Sequence, residues 1–144
     1  MSLRTRDALY GWRTEAMRLH YRVKKDEETI QYVDVMNLFP SECKYLNLPV
    51  GHTKIHVDCE DIKTTLAKGL VLCTVLPPRD LYHPVLPYMC NGRILFCVCR
   101  TCAESGSQDQ CSQERVSERA LTATCVVDEV RLAVERGYRV LRIF

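Results

Sequence analysis

The stretch Tyr32-Val33-Asp34-Val35-Met36-Asn37-Leu38-Phe39-Pro40 decides how the whole chain is read. Aromatic and β-branched residues lead into one acidic side chain, and a proline closes the stretch. Residues of that kind suit a half-buried strand, so a strand is predicted over 29–35 with Asp34 at its exit. Proline is tolerated in the first turn of a helix, where its missing N–H leaves no bond unmade. A short helix is therefore expected around Pro40, ending before Pro49 and Gly51. A carboxylate at a strand exit can hold a hard cation, with a neighbouring backbone carbonyl as second oxygen ligand. An isolated aspartate at a strand end is more often a helix cap.

Working outward, residues 19–23 read as a strand partnering 29–35, with the charged run Lys24–Glu28 as the turn between them. Further on, Gly69–Leu76 (GLVLCTVL) is an apolar run of strand length that Pro77-Pro78 terminates. Tyr82–Tyr88, broken by Pro84 and Pro87, is expected to be irregular or extended. Ile94–Val98 and Ala120–Cys125 read as strands, and the polar Ser105–Ser117 as a loop. Asp128–Arg136 places Val130, Ala133 and Val134 at helical spacing, with two acids in the first turn and Gly137 as its cap. Tyr138–Phe144 reads as a last strand. The expected class is α+β with mostly antiparallel strands. Because the sequence stops within an apolar strand, it is expected to be part of a longer protein.

Composition narrows the function classes. The 144 residues carry a net charge of only +2 and are 47% hydrophobic, so neither a disordered nor a supercharged chain is expected. No apolar window of membrane-spanning length occurs, and the first residues lack the apolar core of a secretory signal. The expected location is intracellular, with no membrane partner. The near-neutral total hides a basic start: residues 1–25 hold seven Arg and Lys against Asp7 and Glu15, with Tyr10, Trp12 and Tyr21 among them. Such a segment can track a phosphate backbone and stack on bases, or form a solvated basic edge.

Cysteine is the outlier, with nine in all. In an intracellular chain these are expected to be reduced, and several lie in apolar runs as small hydrophobes. The group from Cys90 to Cys111 differs. Cys99-x-x-Cys102 is a zinc-knuckle spacing that lets two thiolates meet one tetrahedral ion, and Cys111 is a third. Gln113 is a poor fourth ligand, so Cys90 or Cys97 is the candidate for that place. The role of such a zinc ion would be structural. The four histidines are scattered, and His52 and His83 read as loop hydrogen-bonders. No hydrolase constellation and no phosphate-cradling glycine loop is present.

The segment Tyr32–Pro40 resembles motif A of family B DNA polymerases, an aspartate followed by a small polar residue, Leu, Tyr and Pro. Further pieces resemble the protein-primed branch of the Polinton/Maverick mobile-element type. They run in order as Tyr10-Gly11-Trp12-Arg13-Thr14-Glu15-Ala16, Leu48-Pro49-Val50-Gly51-His52, Val75-Leu76-Pro77-Pro78-Arg79-Asp80-Leu81-Tyr82-His83-Pro84-Val85-Leu86-Pro87, Cys99-Arg100-Thr101-Cys102-Ala103-Glu104 and Glu118-Arg119-Ala120-Leu121-Thr122. The resemblance covers almost the whole chain. It implies a partial polymerase palm over 1–50, and over 51–144 palm strands plus an inserted, zinc-binding subdomain that engages the terminal protein and DNA.

By that resemblance Asp34 is the palm aspartate that helps hold two Mg2+ ions beside the carbonyl of Val35. In the two-metal scheme one ion activates the primer hydroxyl and the other steadies the leaving group of the dNTP. Asn37 and Leu38 would line the nucleotide. Phe39 stands where the family has the tyrosine packed beneath the incoming sugar. Tyr10, Gly11 and Arg13 would contact the DNA template, although Trp12 replaces the motif's second glycine. The second palm aspartate motif, the fingers motif and the exonuclease motifs are not found, so the chain is expected not to polymerise DNA alone. A nuclear location would follow for a eukaryotic mobile element. The alternative is a non-catalytic, zinc-stabilised DNA- or protein-binding module.

Overall fold

A computed structural model describes residues 3–11, 13–14, 16, 18, 20–24, 27–57, 59 and 68–144. The chain divides into two compact units, one of Met1–Gly11 with His56–Phe144 and one of Trp12–Ile55. The sequence had grouped residues 1–11 with the segment that follows them. They belong instead with the C-terminal unit, where a 3-10 turn at Thr5–Ala8 packs against a strand and buries Ala8.

The larger unit is built on a three-stranded antiparallel sheet. Its central strand β1 (Leu70–Leu76) is flanked by β4 (Leu121–Val126) and β5 (Arg139–Ile143). The register explains the core. Val71, Cys73 and Val75 stand opposite Cys125, Ala123 and Leu121, and since cross-strand partners share a face, one face is continuously apolar. The β5 side adds Ile143 opposite Cys73 and Val140 opposite Val75, across an irregularity between Thr74 and Val75. On the other face Thr74 and Thr122 pair directly, their hydroxyls 2.8 Å apart.

One helix connects β4 to β5, Val127–Glu135. Its Val127, Val130 and Ala133, at helical spacing, are fully buried in the cluster formed by the apolar sheet face. The helix ends in a Schellman arrangement: Tyr138 N–H donates to the Ala133 carbonyl and Gly137 N–H to that of Val134, each at 3.0 Å. Gly137 takes φ +91°, the left-handed conformation glycine allows, which bears out its expected capping role. Tyr138 is buried, and its hydroxyl accepts the Val85 amide at 3.1 Å.

Between β1 and β4 lies a hairpin of β2 (Tyr88–Cys90) and β3 (Arg93–Leu95), turning through Asn91 and Gly92, both at positive φ. The strand expected over 94–98 is therefore shorter and starts earlier. Two short helices follow, Arg100–Ser105 and Val116–Arg119. They bracket and narrow the polar loop expected over 105–117, and neither helix was anticipated.

In the smaller unit, α1 (Leu38–Tyr45) forms where expected, with Pro40 in its first turn, and ends before Pro49. Among the described residues the remaining α-helices, in chain order, are α2 (Arg100–Ser105), α3 (Val116–Arg119) and α4 (Val127–Glu135). The turn at Lys24–Glu28 is also present: Glu27 and Glu28 N–H donate to the Lys24 carbonyl, and Tyr21 Oη donates to Glu28 Oε2 at 2.6 Å. The two strands expected around it are corrected, since no described residue of 19–23 or 29–35 is in a strand. Ile30, Tyr32, Val33 and Val35 are exposed. β-propensity reflects packing on a pleated, half-buried surface, and these side chains have no such surface.

Candidate metal centre

The N-terminus of α2 places the first two cysteines. Cys99 has extended backbone at the helix cap position, and its carbonyl accepts the first helical bond from Ala103 N–H at 3.2 Å. Cys102 then sits one turn into the helix. The helix stops at Gly106, φ +68°, where Ser107 N–H donates to the Cys102 carbonyl at 3.1 Å. The chain then loops back, and Cys111 joins the other two, so that the three Sγ atoms all lie within 4.8 Å of one another. Zinc with Zn–S bonds of about 2.3 Å in a tetrahedron holds its sulfurs roughly 3.8 Å apart, so a small contraction around the ion seats all three. Among the described residues these cysteines are the one group of three or more metal-ligating side chains.

Hydrogen bonds fix the cluster to its surroundings. Glu118 O in α3 accepts from Thr101 Oγ1 at 2.9 Å and from Cys99 Sγ at 4.0 Å, and Ser117 O accepts from Arg100 at 2.7 Å. Arg79, just beyond β1, donates to the Gln113 carbonyl at 2.9 Å. Arg119, at the end of α3, donates to the Pro77 carbonyl at 2.9 Å. Cys99 is buried, while Cys102 and Cys111 are half-buried. Burial, then the neighbouring Cys111 and Cys99 thiols, push the Cys102 thiol up to about 12. At Cys111 burial is opposed by the Gln113 backbone, the two thiols and the Arg119 charge, and the net direction is downward. Zinc bound there would require deprotonated thiols, which a divalent ion favours.

The two candidates for a fourth ligand lie outside the three-sulfur group. Cys90 is buried and donates to the Ala103 carbonyl at 3.6 Å. Cys97 is half-buried, and burial raises its thiol to about 11. The remaining thiols of this unit include a second pair, Cys73 and Cys125, buried diagonally across β1 and β4. The hydrogen bond to Cys73, together with burial, drives the Cys125 thiol upward. These two act as core hydrophobes, as expected for cysteines in apolar runs.

The motif A residues lie in the smaller unit. Asp34 and Val35 are exposed in an irregular segment, Asn37 adopts left-handed backbone, and Leu38 and Phe39 open α1. No described His, Cys, Asp or Glu pair joins Asp34 in a metal-ligating group. Tyr10 and Gly11 belong to the larger unit and Arg13 to the smaller. Tyr10 is half-buried. Burial, then the neighbouring Cys125 thiol and the charges of Asp7 and Glu129, raise its hydroxyl to about 12. Gly11 is exposed at φ +76° with open space around its Cα. Trp12, the motif departure, lies outside the described residues.

Sequence reasoning passed over Arg119, Thr101 and the Glu118 carbonyl as parts of this centre. The segment Glu118–Thr122 was noted as a motif, but nothing in its spacing ties it to cysteines seven or more residues away. Among the described residues no helix is long and apolar enough to cross a membrane. Comparison with protein-family models, with curated proteins and with solved structures found no match.

Proposed function

We propose that the chain is a zinc-stabilised module of the palm-and-insertion type found in protein-primed family B DNA polymerases. It keeps nucleic-acid or protein contacts without transferring nucleotides by itself. The observation that carries this reading is the convergence of Cys99, Cys102 and Cys111. Zinc held there would be structural: it would tie the start of α2 to the far end of the loop and secure a segment poor in apolar residues. The ordered motifs support the polymerase lineage, and an antiparallel sheet with helices is compatible with it. Asp34 favours a non-catalytic role for these 144 residues. It stands exposed, and one carboxylate cannot supply the paired-ion charge compensation that phosphoryl transfer needs.

The test is filter binding of primer–template DNA by the zinc-loaded chain over a salt series, followed by primer extension with Mg2+ and dNTPs. Salt-sensitive binding that survives Asp34→Ala, with no extension, is the expected result. Robust nucleotide incorporation would overturn the non-catalytic assignment. Absence of DNA binding at low salt would leave protein contacts as the module's function and remove Mg2+, dNTP and DNA as partners of this chain.

A further inference from the structure

We propose that Cys102 and Cys111 are a redox-modification site: a peroxide joins them in a disulfide, which leaves Cys99 as a single free sulfur and excludes zinc. The disulfide rests on the placement of the sulfurs. The exclusion of the ion rests on the zinc reading of the same cluster.

Three thiols within 4.8 Å of one another allow three pairings, and the structure separates them. Cys99 is only 1% exposed and its thiol donates to the Glu118 carbonyl, so an oxidant in solution does not meet it first. Cys102 and Cys111 are half-buried, and both sulfurs can be reached. A disulfide needs its sulfurs about 2.05 Å apart, so one of them must move. Cys102 is held in the first turn of α2, and its carbonyl also accepts Ser107 N–H at 3.1 Å. Cys111 lies between α2 and α3, in neither a helix nor a strand, and supplies the movement. Two residues further on, the bond from Arg79 to the Gln113 carbonyl anchors the loop and keeps Cys111 beside Cys102. Proximity alone is not sufficient. Cys73 and Cys125 are hydrogen-bonded to each other, but each is 1% exposed within the core. The sulfur that meets hydrogen peroxide takes one oxygen, becomes a sulfenic acid and releases water. The second sulfur then attacks the first, the S–O bond breaks and a second water leaves. Two thiols thus lose two electrons to one peroxide, giving one disulfide and two waters.

The experiment treats the reduced, zinc-free chain with hydrogen peroxide at a dose that oxidises the exposed Cys43. Free thiols are alkylated in denaturant, and the chain is digested with trypsin without reduction. Cleavage after Arg93, Arg100 and Arg115 puts Cys102 and Cys111 together in peptide 101–115 and Cys99 in peptide 94–100. Mass spectrometry is expected to find peptide 101–115 unalkylated and lighter by two hydrogens, with Cys73 and Cys125 alkylated. A peptide 101–115 that is alkylated, further oxidised or linked to 94–100 in place of that closed form overturns the proposal. A second portion of the oxidised chain, freed of peroxide, is offered zinc in competition with a chromophoric chelator. Zinc uptake is expected to fall in proportion to the closed fraction and to return after dithiothreitol. Equal uptake by closed and reduced chains overturns the exclusion of the ion. If neither form takes up zinc while the closed peptide appears, the metal reading fails and the disulfide stands.

Discussion

Zinc should act on this protein as a ligand of its folded state, and the size of the effect can be worked out. The three sulfurs meet only when α2, its Gly106 cap and the returning loop are in place, so zinc favours the folded over the unfolded chain. At free zinc about a hundredfold above Kd, such linkage contributes about 2.7 kcal/mol. For a unit of about 100 residues each kcal/mol moves Tm by roughly 4–8 °C, which gives a rise of about 10–20 °C. The assay is a thermal melt followed by circular dichroism, under reductant, with zinc and with a chelator in excess. Cys102→Ala should melt within a few degrees of the parent in chelator, because Cys102 is only half-buried, and should lose most of the zinc-dependent rise. Two results would refute the reasoning: a parent Tm that zinc moves by less than about 2 °C, or an equal rise in Cys102→Ala.

Three further outcomes concern the scaffold. Leu121→Ala, which empties a fully buried position on β4, should cost about 2–5 kcal/mol by denaturant unfolding, whereas Leu132→Ala on the exposed side of α4 should cost much less. Tyr138→Phe removes the oxygen that accepts the Val85 amide and should lower stability by about 1–3 kcal/mol, read from the urea midpoint at unchanged slope. The raised Tyr10 hydroxyl favours the protonated form in the folded state. Its stabilisation is therefore complete below the ordinary tyrosine value of about 10 and is lost as pH rises towards about 12. Tyr10→Phe should flatten the stability profile across that window, and an unchanged profile would contradict the packing assigned to Tyr10.

The sequence disclosed the elements that carry their own period and punctuation. β1 is an apolar run stopped by two prolines, and α4 has a buried stripe, an acidic first turn and a glycine cap, so both lie within a residue or two of expectation. The failures have equally local causes. Ile30, Tyr32, Val33 and Val35 are strand-forming but exposed, with no apolar surface to pack on, and propensity alone does not make a sheet. The β2–β3 hairpin went unread although Asn91-Gly92 is a pair whose backbone suits a two-residue turn, and α2 went unread too. At the candidate metal centre the Cys99-x-x-Cys102 spacing marked two of the clustered thiols and Cys111 the third. Their convergence depends on how the loop after α2 folds back, which no linear spacing encodes.

The most direct measurement is zinc-edge X-ray absorption on the purified, zinc-loaded chain. Three sulfur neighbours at about 2.3 Å, reduced to two in Cys102→Ala, are the expected result. A first shell of nitrogen and oxygen at about 2.0–2.1 Å, or a shell that Cys102→Ala leaves unchanged, would contradict the account.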